Sequence, residues 1–210
     1  CTNLAKVTLG DELTVIGDNA FSNCTNLGDF AIPATVTSIG ARAFYNCTSL
    51  EAVTIPEGIE AISTQRNSSP FEQCSGLRQV TFNTPNVTTA LTGWIGSGQL
   101  RTSDITDIIL TGNVTGIGEY AFRHKSALTS IAMTGSVTGI GNQAFNGCTG
   151  LTGMVIPEGV ASIGSAAFGA CSNLTSLSLP ETLSSLGSGA FSGCAGLTEL
   201  SIPGAVTEIG

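Results

Sequence analysis

The segment LGDFAIPATVTSIGARAFYNCTS at positions 27–49 indicates the architecture of the protein, because its pattern recurs along the chain. Positions 151–173 read LTGMVIPEGVASIGSAAFGACSN, with Pro, Gly, Phe and Cys in the same slots. Two sets mark the period, at Cys1, Cys24, Cys47, Cys74, Cys148, Cys171 and Cys194, and at Phe21, Phe44, Phe71, Phe122, Phe145, Phe168 and Phe191. Most neighbours within each set are 23 positions apart, so the chain is a tandem repeat.

Two insertions interrupt the period. Four extra residues fall within 63–70, and five more fall between Leu100 and Ile105. Trp94 takes the Phe slot within the irregular stretch 83–105. Lys125 then stands where the period requires a Cys. The sequence therefore predicts one array over residues 1–210, with about nine coils and with irregular geometry at the two insertions.

Each repeat predicts a coil with three apolar sides. Leu50, Val53 and Ile55 alternate with other residues, which is the period of a strand. Pro56 ends that strand, because proline cannot donate a hydrogen bond to a ladder. Gly40 suits a tight turn that needs unusual φ and ψ angles. The Ala-Phe-x-x-Cys spacing fits one turn of helix or 3₁₀ helix.

A single coil cannot bury three apolar sides, whereas stacked coils shield one another and form one continuous core. The sequence thus predicts a repeat solenoid. A parallel β-sheet forms one face, and short strands plus 3₁₀ or helical turns form the other sides.

The repeat resembles the BspA-like leucine-rich repeats, the Treponema-type subclass, which has a period of 23 positions. The resemblance is carried by Ile39, Gly40, Ala43, Phe44 and Cys47, followed by Leu50, Val53, Ile55 and Pro56. It implies a right-handed leucine-rich repeat superhelix, and a secreted or cell-surface protein of a host-associated bacterium. It also implies a non-enzymatic adhesion or recognition module whose partner is a host extracellular-matrix or cell-surface protein.

Charge and composition argue against other classes of partner. The formal net charge of −8 repels a phosphate backbone, so nucleic acid is not expected. No run approaches the roughly 18 to 20 apolar residues of a membrane helix, so no transmembrane segment is expected in this chain. A solenoid normally carries polar caps, and neither end has one, which predicts a fragment of a longer protein. The oligomeric state stays open.

No group of residues predicts an active site, a cofactor or a metal centre. His124 is the only histidine, and beside Arg123 and Lys125 it predicts a solvated basic corner. Asp104 and Asp107 have no partner acid or nucleophile. The cysteines lack a CxxC pair or a histidine partner for a metal.

The cysteines leave one alternative open. Identical slots predict a ladder of buried thiols. Adjacent coils would nevertheless place Cα atoms about 5 Å apart, which is within the range of a disulfide. Cys1 also has the alternative of being the lipidated first residue of a lipoprotein, although its register favours a repeat position.

Strand alternation predicts which residues form the exposed face of the sheet. The candidate binding residues on that face are Lys6, Asp29, Gln79, Asp107, Ser130, Ser176 and Glu199. Gln65, Arg66 and Asn67 join them, because irregular loops on a rigid array often carry recognition.

Two other functions stay open. A structural spacer that presents another domain of the same protein would suit a sheet face that is small and polar. A carbohydrate-binding surface would need Tyr45 and Tyr120 to be exposed together.

Overall fold

The computed structural model describes residues 1–59, 62, 69–87 and 105–210, and in these residues the repeats are stacked coils. The described residues contain thirteen short strands: β1 (Val15–Ile16), β2 (Ser38–Ile39), β3 (Ala52–Ile55), β4 (Gln79–Phe82), β5 (Asn86–Val87), β6 (Asp107–Leu110), β7 (Gly116–Ile117), β8 (Ser130–Met133), β9 (Gly139–Ile140), β10 (Gly153–Val155), β11 (Ser162–Ile163), β12 (Ser176–Ser178) and β13 (Ser185–Leu186). Strands of successive coils pair in parallel, so the predicted solenoid is confirmed.

The front sheet consists of the strand that opens each coil. β3, β4, β6 and β8 pair in that order over four residues each, and β10 pairs with β12 over three. Val53, Val80, Ile108 and Ile131 are in register, so identical slots lie side by side. Their alternation between core and solvent confirms the predicted strand period.

The back sheet consists of the two-residue strand that follows in each coil. β5, β7, β9, β11 and β13 form one five-stranded parallel sheet, and β1 pairs with β2. The second residue of each strand is buried, as in Ile16, Ile117 and Ile163. The first residue of β1, β2, β7, β9, β11 and β13 faces outward or is half-buried. Two residues per coil are therefore enough to form a continuous sheet, because the equivalent residues of successive coils are in register.

The turn column, residues 17–24 and their equivalents in later coils, holds the Phe and Cys slots. The expected helical or 3₁₀ turn takes the form of tight turns with i→i+3 bonds, such as Cys47 N–H to Phe44 O at 3.2 Å. Other N–H groups bond the next coil, as from Phe122 to Ala144 O at 2.7 Å. Two slots per turn are left-handed in most coils: Asn19, Arg42, Tyr120, Gln143, Ala166 and Gly189 in one, and Asn23, Asn46, Gln73, His124, Gly147, Ala170 and Gly193 in the other.

Gly40 is required for a reason that differs from the one predicted. It lies outside the left-handed region, so unusual φ and ψ angles do not explain it, and that expectation was wrong. A Cβ atom at this position would instead collide with the backbone nitrogen of Asp18 in the preceding coil. Gly141, Gly164 and Gly187 meet the preceding coil in the same way. Glycine here sets the distance between coils.

A column of phenylalanine rings fills the core. Neighbouring rings stack, with centroids 5.3 Å apart for Phe44 and Phe71 and 5.2 Å apart for Phe145 and Phe168. Both members of each pair are fully buried. Phe82 is also fully buried and Phe30 packs on Phe44 at 4.8 Å, as expected for inward-facing strand residues.

The corner slot, the residue after the second inward-facing position of each front segment, controls pairing of the front sheet. The N–H groups of Asn83, Thr111 and Thr134 donate to the preceding coil, to Ile55 O at 2.9 Å, Phe82 O at 3.1 Å and Leu110 O at 2.9 Å respectively. Each of these coils pairs fully with the coil before it.

Proline in the corner slot coincides with loss of pairing. Pro33, Pro56, Pro157 and Pro203 lack the N–H that would form this last rung. The front segment before each of these prolines is not paired with the front segment of the preceding coil. The unpaired neighbours are 29–31 and 6–8 for Pro33, β3 and 29–31 for Pro56, β10 and β8 for Pro157, and 199–201 and β12 for Pro203. Among the described corner prolines, Pro180 alone follows a strand that pairs with the coil before, and β12 does so over three residues. The front sheet is thus divided at four of the five described corner prolines.

Replacing Phe145 with Ala should destabilise the array by about 3 to 5 kcal/mol, because a fully buried ring between two stacked neighbours is lost. Urea denaturation followed by circular dichroism measures this change. Phe21→Ala is the matched control and should cost less, because Phe21 is only half-buried. Equal costs at the two positions would contradict a continuous buried column.

The variant Thr134→Pro should separate β8 from β6, because it removes the N–H that bonds Leu110 O at 2.9 Å. An unsatisfied buried carbonyl costs about 1 to 3 kcal/mol. Hydrogen exchange should be faster at Ala132, whose N–H lies on the shared edge. Thr134→Val is the control, because it keeps the N–H and removes only the hydroxyl that also bonds Leu110 O. Unchanged exchange in Thr134→Pro, or equal acceleration in both variants, would refute control by the corner N–H.

Candidate binding surface

The predicted surface residues lie on the front side of the coils where the structure describes them. Lys6, Ser130, Ser176 and Glu199 are exposed, and Gln79 and Asp107 are half-buried. Gln79, Asp107 and Ser130 occupy one register position of β4, β6 and β8, so their side chains lie in one row. Gln65, Arg66 and Asn67 lie outside the described residues.

Asp29 is exposed, and its carboxylate also accepts hydrogen bonds from the next coil. Its Oδ1 atom accepts the N–H of Ala52 at 3.0 Å and that of Glu51 at 3.4 Å. The carboxylate thereby bridges two front segments that no backbone ladder joins, next to the proline slot at Pro56. The alternating pattern of the sequence predicts that Asp29 lies on the front face, but it does not predict these two hydrogen bonds.

The centre of the face is a flat polar row. Thr106 Oγ1 donates to Asp107 Oδ2 at 2.6 Å, which holds the carboxylate against its own strand. The slots beside it in register are Gln79 and Ser130, neither of which is an acid or a nucleophile paired with a base. Asp104, its neighbour in the sequence, lies outside the described residues. The arrangement offers hydrogen bonding to a partner and no proton-transfer pair among the described side chains.

A groove of about 1410 Å³ was not predicted from the sequence. It runs across the front side from 129–134 to 199–204. It touches outward-facing Ser130 and Val155 and also core-side Ile131 and Met154, which alternation places on opposite faces of the strands. The groove therefore passes between strands, at the places where the front sheet is divided.

The two tyrosines of the carbohydrate alternative do not form a common platform. Tyr45 is half-buried beneath Arg42, with 5.2 Å from guanidinium carbon to ring centroid. Tyr120 is 38% exposed beneath Arg123, at 5.3 Å. The rings occupy different slots of the turn column in coils that are not adjacent, and each is covered by its own arginine.

The cysteine ladder is built from free thiols. Cys24, Cys47, Cys74, Cys148 and Cys171 are buried, Cys194 is half-buried and Cys1 is exposed. Thiols donate to the carbonyl of the Phe slot one coil earlier, as from Cys148 to Phe122 O and from Cys171 to Phe145 O at 3.0 and 3.1 Å.

Burial makes these thiols poor nucleophiles. Burial raises the pKa of both Cys74 and Cys148 to about 12, because the thiolate is disfavoured away from water. The side-chain interaction between Cys171 and Cys194 raises the pKa of Cys171 and lowers that of Cys194. Within the described residues no group of three or more His, Cys, Asp or Glu is arranged to hold a metal ion.

Lys125 is buried in the Cys slot, so the expected solvated basic corner was wrong for this residue. His124 and Arg123 are exposed, but Lys125 is only 9% exposed. The one ion pair in the described part of the chain joins Arg42 and Glu72 at 3.4 Å, so the buried ammonium group gains no carboxylate there. Burial accordingly lowers the pKa of Lys125 to about 8.

Similar proteins were found by family and by structure. The family described as BspA type Leucine rich repeat region matches residues 1–94 and 93–210, in six copies. A leucine-rich repeat protein of T. pallidum is 26% identical over 92% of this chain and 78% of its own, with a TM-score of 0.53.

Two further structures are less similar. A leucine-rich repeat protein of Bacteroides ovatus is 22% identical over 94% of this chain and 72% of its own, with a TM-score of 0.46. A leucine rich cell surface protein of Faecalibacterium prausnitzii is 21% identical over 94% and 73%, with a TM-score of 0.44. No curated protein matches the sequence.

Replacing Lys125 with Met should stabilise the protein by about 3 kcal/mol at pH 7, because it removes a buried charge at similar side-chain length. The pKa is 10.5 for a free lysine and about 8 in the fold, so the penalty is complete below pH 8 and disappears as pH rises to 10.5. Urea denaturation between pH 7 and 10.5 should show Lys125→Met and the parent protein converging in stability.

The matched control is Lys125→Arg, because a guanidinium group keeps its charge throughout this pH range. The difference in stability between Lys125→Arg and Lys125→Met should therefore stay nearly constant as the pH rises. The difference between the parent protein and Lys125→Met should shrink over the same range. The cysteines titrate in all three proteins, so their contribution largely cancels in these differences. A constant difference between Lys125→Met and the parent from pH 7 to 10.5 would show that the ammonium group is hydrated.

Proposed function

The chain belongs to the BspA-type leucine-rich repeat family, and on that premise we propose that it is a non-enzymatic module that recognises another protein through its front face. Proteins of leucine-rich repeat families are typically protein-interaction or surface proteins. We further propose a cell-surface or secreted location and an adhesive role toward a host extracellular-matrix or cell-surface protein, as the family resemblance implies. Among the described residues there is no helix with the length and apolar character needed to cross a bilayer.

The observation that carries the proposal is the row of Gln79, Asp107 and Ser130. Their Cα atoms are register partners on three fully paired strands, about 4.8 Å apart. Val80, Ile108 and the Phe column behind them are buried, so the backbone that presents the row is fixed. A preorganised row of polar groups binds a partner with little loss of conformational entropy.

Gln65, Arg66 and Asn67 remain part of the proposal. They fall in the first insertion of the repeat, and irregular segments on a rigid array often carry recognition. The spacer is the second candidate, and the small, polar character of Ser130, Ser176 and Ser178 favours it, because hot spots of tight interfaces are usually aromatic residues or arginine.

The proposal predicts saturable binding of the folded chain to one member of a panel of purified extracellular-matrix glycoproteins. Asp107→Ala should weaken that binding by about tenfold, because one polar anchor at the centre of the row is lost. Biolayer interferometry measures the dissociation constant. Glu119→Ala is the matched control, because it removes one exposed carboxylate from the turn column, and it should leave binding unchanged.

Two results would contradict the proposal. Absence of saturable binding across the panel would favour the spacer. Equal weakening by Asp107→Ala and Glu119→Ala would show that net charge matters and that the front face has no special part.

A further inference from the structure

The gap between β8 and β10 leaves backbone hydrogen-bonding groups without partners in the described part of the chain. Ser130 and Thr134 donate to carbonyl groups of the coil before, to Thr106 O at 3.0 Å and Leu110 O at 2.9 Å. Groups alternate between the two edges of a parallel strand, so Ile131 and Met133 direct their N–H and C=O groups toward β10. β8 and β10 are not paired, and no bond from these groups to another described residue is found.

The facing edge of β10 is free in the same way. Ile156 donates to Ser178 O at 2.9 Å, and Thr152 O accepts from Thr175 at 2.8 Å, so the even-numbered residues face β12. Gly153 and Val155 therefore direct their N–H and C=O groups toward β8. Two strand edges with complementary free groups border one cleft.

The two coils that border this cleft remain stacked elsewhere. In the back sheet Ile140 pairs with Ile163, and in the turn column Phe145 N–H donates to Ala167 O at 2.8 Å. The opening is thus confined to the front. Pro157 occupies the corner slot of the coil after Thr134, and it has no N–H to donate to Met133 O.

The cleft also exposes apolar surface. Ile131 and Met133 are half-buried, whereas Ile108 and Leu110, their register partners on β6, are 1% and 0% exposed. Val155 on the opposite edge is 73% exposed. An occupant with apolar side chains at alternate positions would cover Ile131 and Met133 on the core side of the cleft and direct its other side chains outward, on the side of Val155.

The charge of the groove selects among such occupants. Its lining contains the carboxylates of Glu181 and Glu199 and no Lys, Arg or His among the described residues. The whole chain carries a formal charge of −8, which adds attraction for a cation. A basic segment is therefore complementary, and an acidic segment is repelled.

We propose that the cleft between β8 and β10 binds an extended, positively charged segment of a partner protein as an added β-strand. Backbone groups of Ile131, Met133, Gly153 and Val155 bond the guest strand, and the carboxylates of the groove attract its basic side chains. This inference rests on the proposed function and names the class of segment that the front face takes. Proline at position 157 keeps the acceptor edges open.

The test uses the folded chain and a synthetic peptide of about seven residues that alternates lysine and valine, a length typical of a strand. Fluorescence anisotropy measures binding to the labelled peptide. Two derivatives separate the contributions: one with glutamate in place of lysine, and one with alternate backbone nitrogens methylated, which keeps the charge and removes the donors. Both should bind at least about tenfold more weakly.

The decisive variant is Pro157→Thr, which supplies the missing N–H and should pair β8 with β10. It should weaken peptide binding by at least about tenfold while the protein stays folded. Pro33→Thr is the matched control, because it supplies the same group at a distant corner slot, and it should bind the peptide like the parent. In amide exchange spectra the peptide should protect Ile131, Met133, Gly153 and Val155 in the parent and not in Pro157→Thr.

Binding that survives N-methylation or Pro157→Thr would overturn strand addition, and so would a failure of the lysine peptide to bind. Concentration-dependent dimerisation that Pro157→Thr abolishes would assign the cleft to a second copy of the chain and would equally overturn the proposal. The proposed function is tested separately from this inference. Glycoprotein binding that Pro157→Thr leaves unchanged refutes only this inference, whereas absence of binding to every glycoprotein in the panel refutes the function.

Discussion

Stacking of like residues from one coil onto the next is the interaction on which the structure depends. No single coil buries its own Phe, because the ring is covered by the rings of its neighbours, at centroid distances such as 5.4 Å for Phe122 and Phe145. The same translation stacks the thiols and the back-sheet isoleucines. Each column is continuous only if the spacing is constant, and this requirement explains why the period is preserved so closely.

Because all coils have the same spacing, residues in equivalent slots of neighbouring coils contact one another. Gly164 is small because a Cβ atom there would meet the backbone of Asn142. Threonines bond the coil before them, as from Thr138 Oγ1 to Thr115 O at 3.1 Å. Lys125 is the exception, since it inserts a charge into a column of apolar thiols, and yet Cys148 in the next coil stays fully buried. A regular array therefore tolerates such a substitution in one coil, and the packing of the next coil is preserved.

The front sheet combines a closed part and an open part. Full pairing from β3 to β8 makes a rigid polar row, whereas the sheet is interrupted at four of the five described corner prolines, which lack the N–H of the last rung. The turn column and the back sheet hold the coils together in both cases, so opening the front does not unfold the array. A closed face and an open cleft can therefore coexist on one solenoid.

The period, the strand alternation, the Phe and Cys columns and the outward position of Asp107 and Ser130 can be read from the residues alone, because each repeats one local pattern. The burial of Lys125, the bridge made by Asp29, the close approach at Gly40 and the gap between β8 and β10 are visible only in the folded array. These features depend on the distance between a residue and its counterpart 23 positions away, and that distance is fixed by the packing of whole coils.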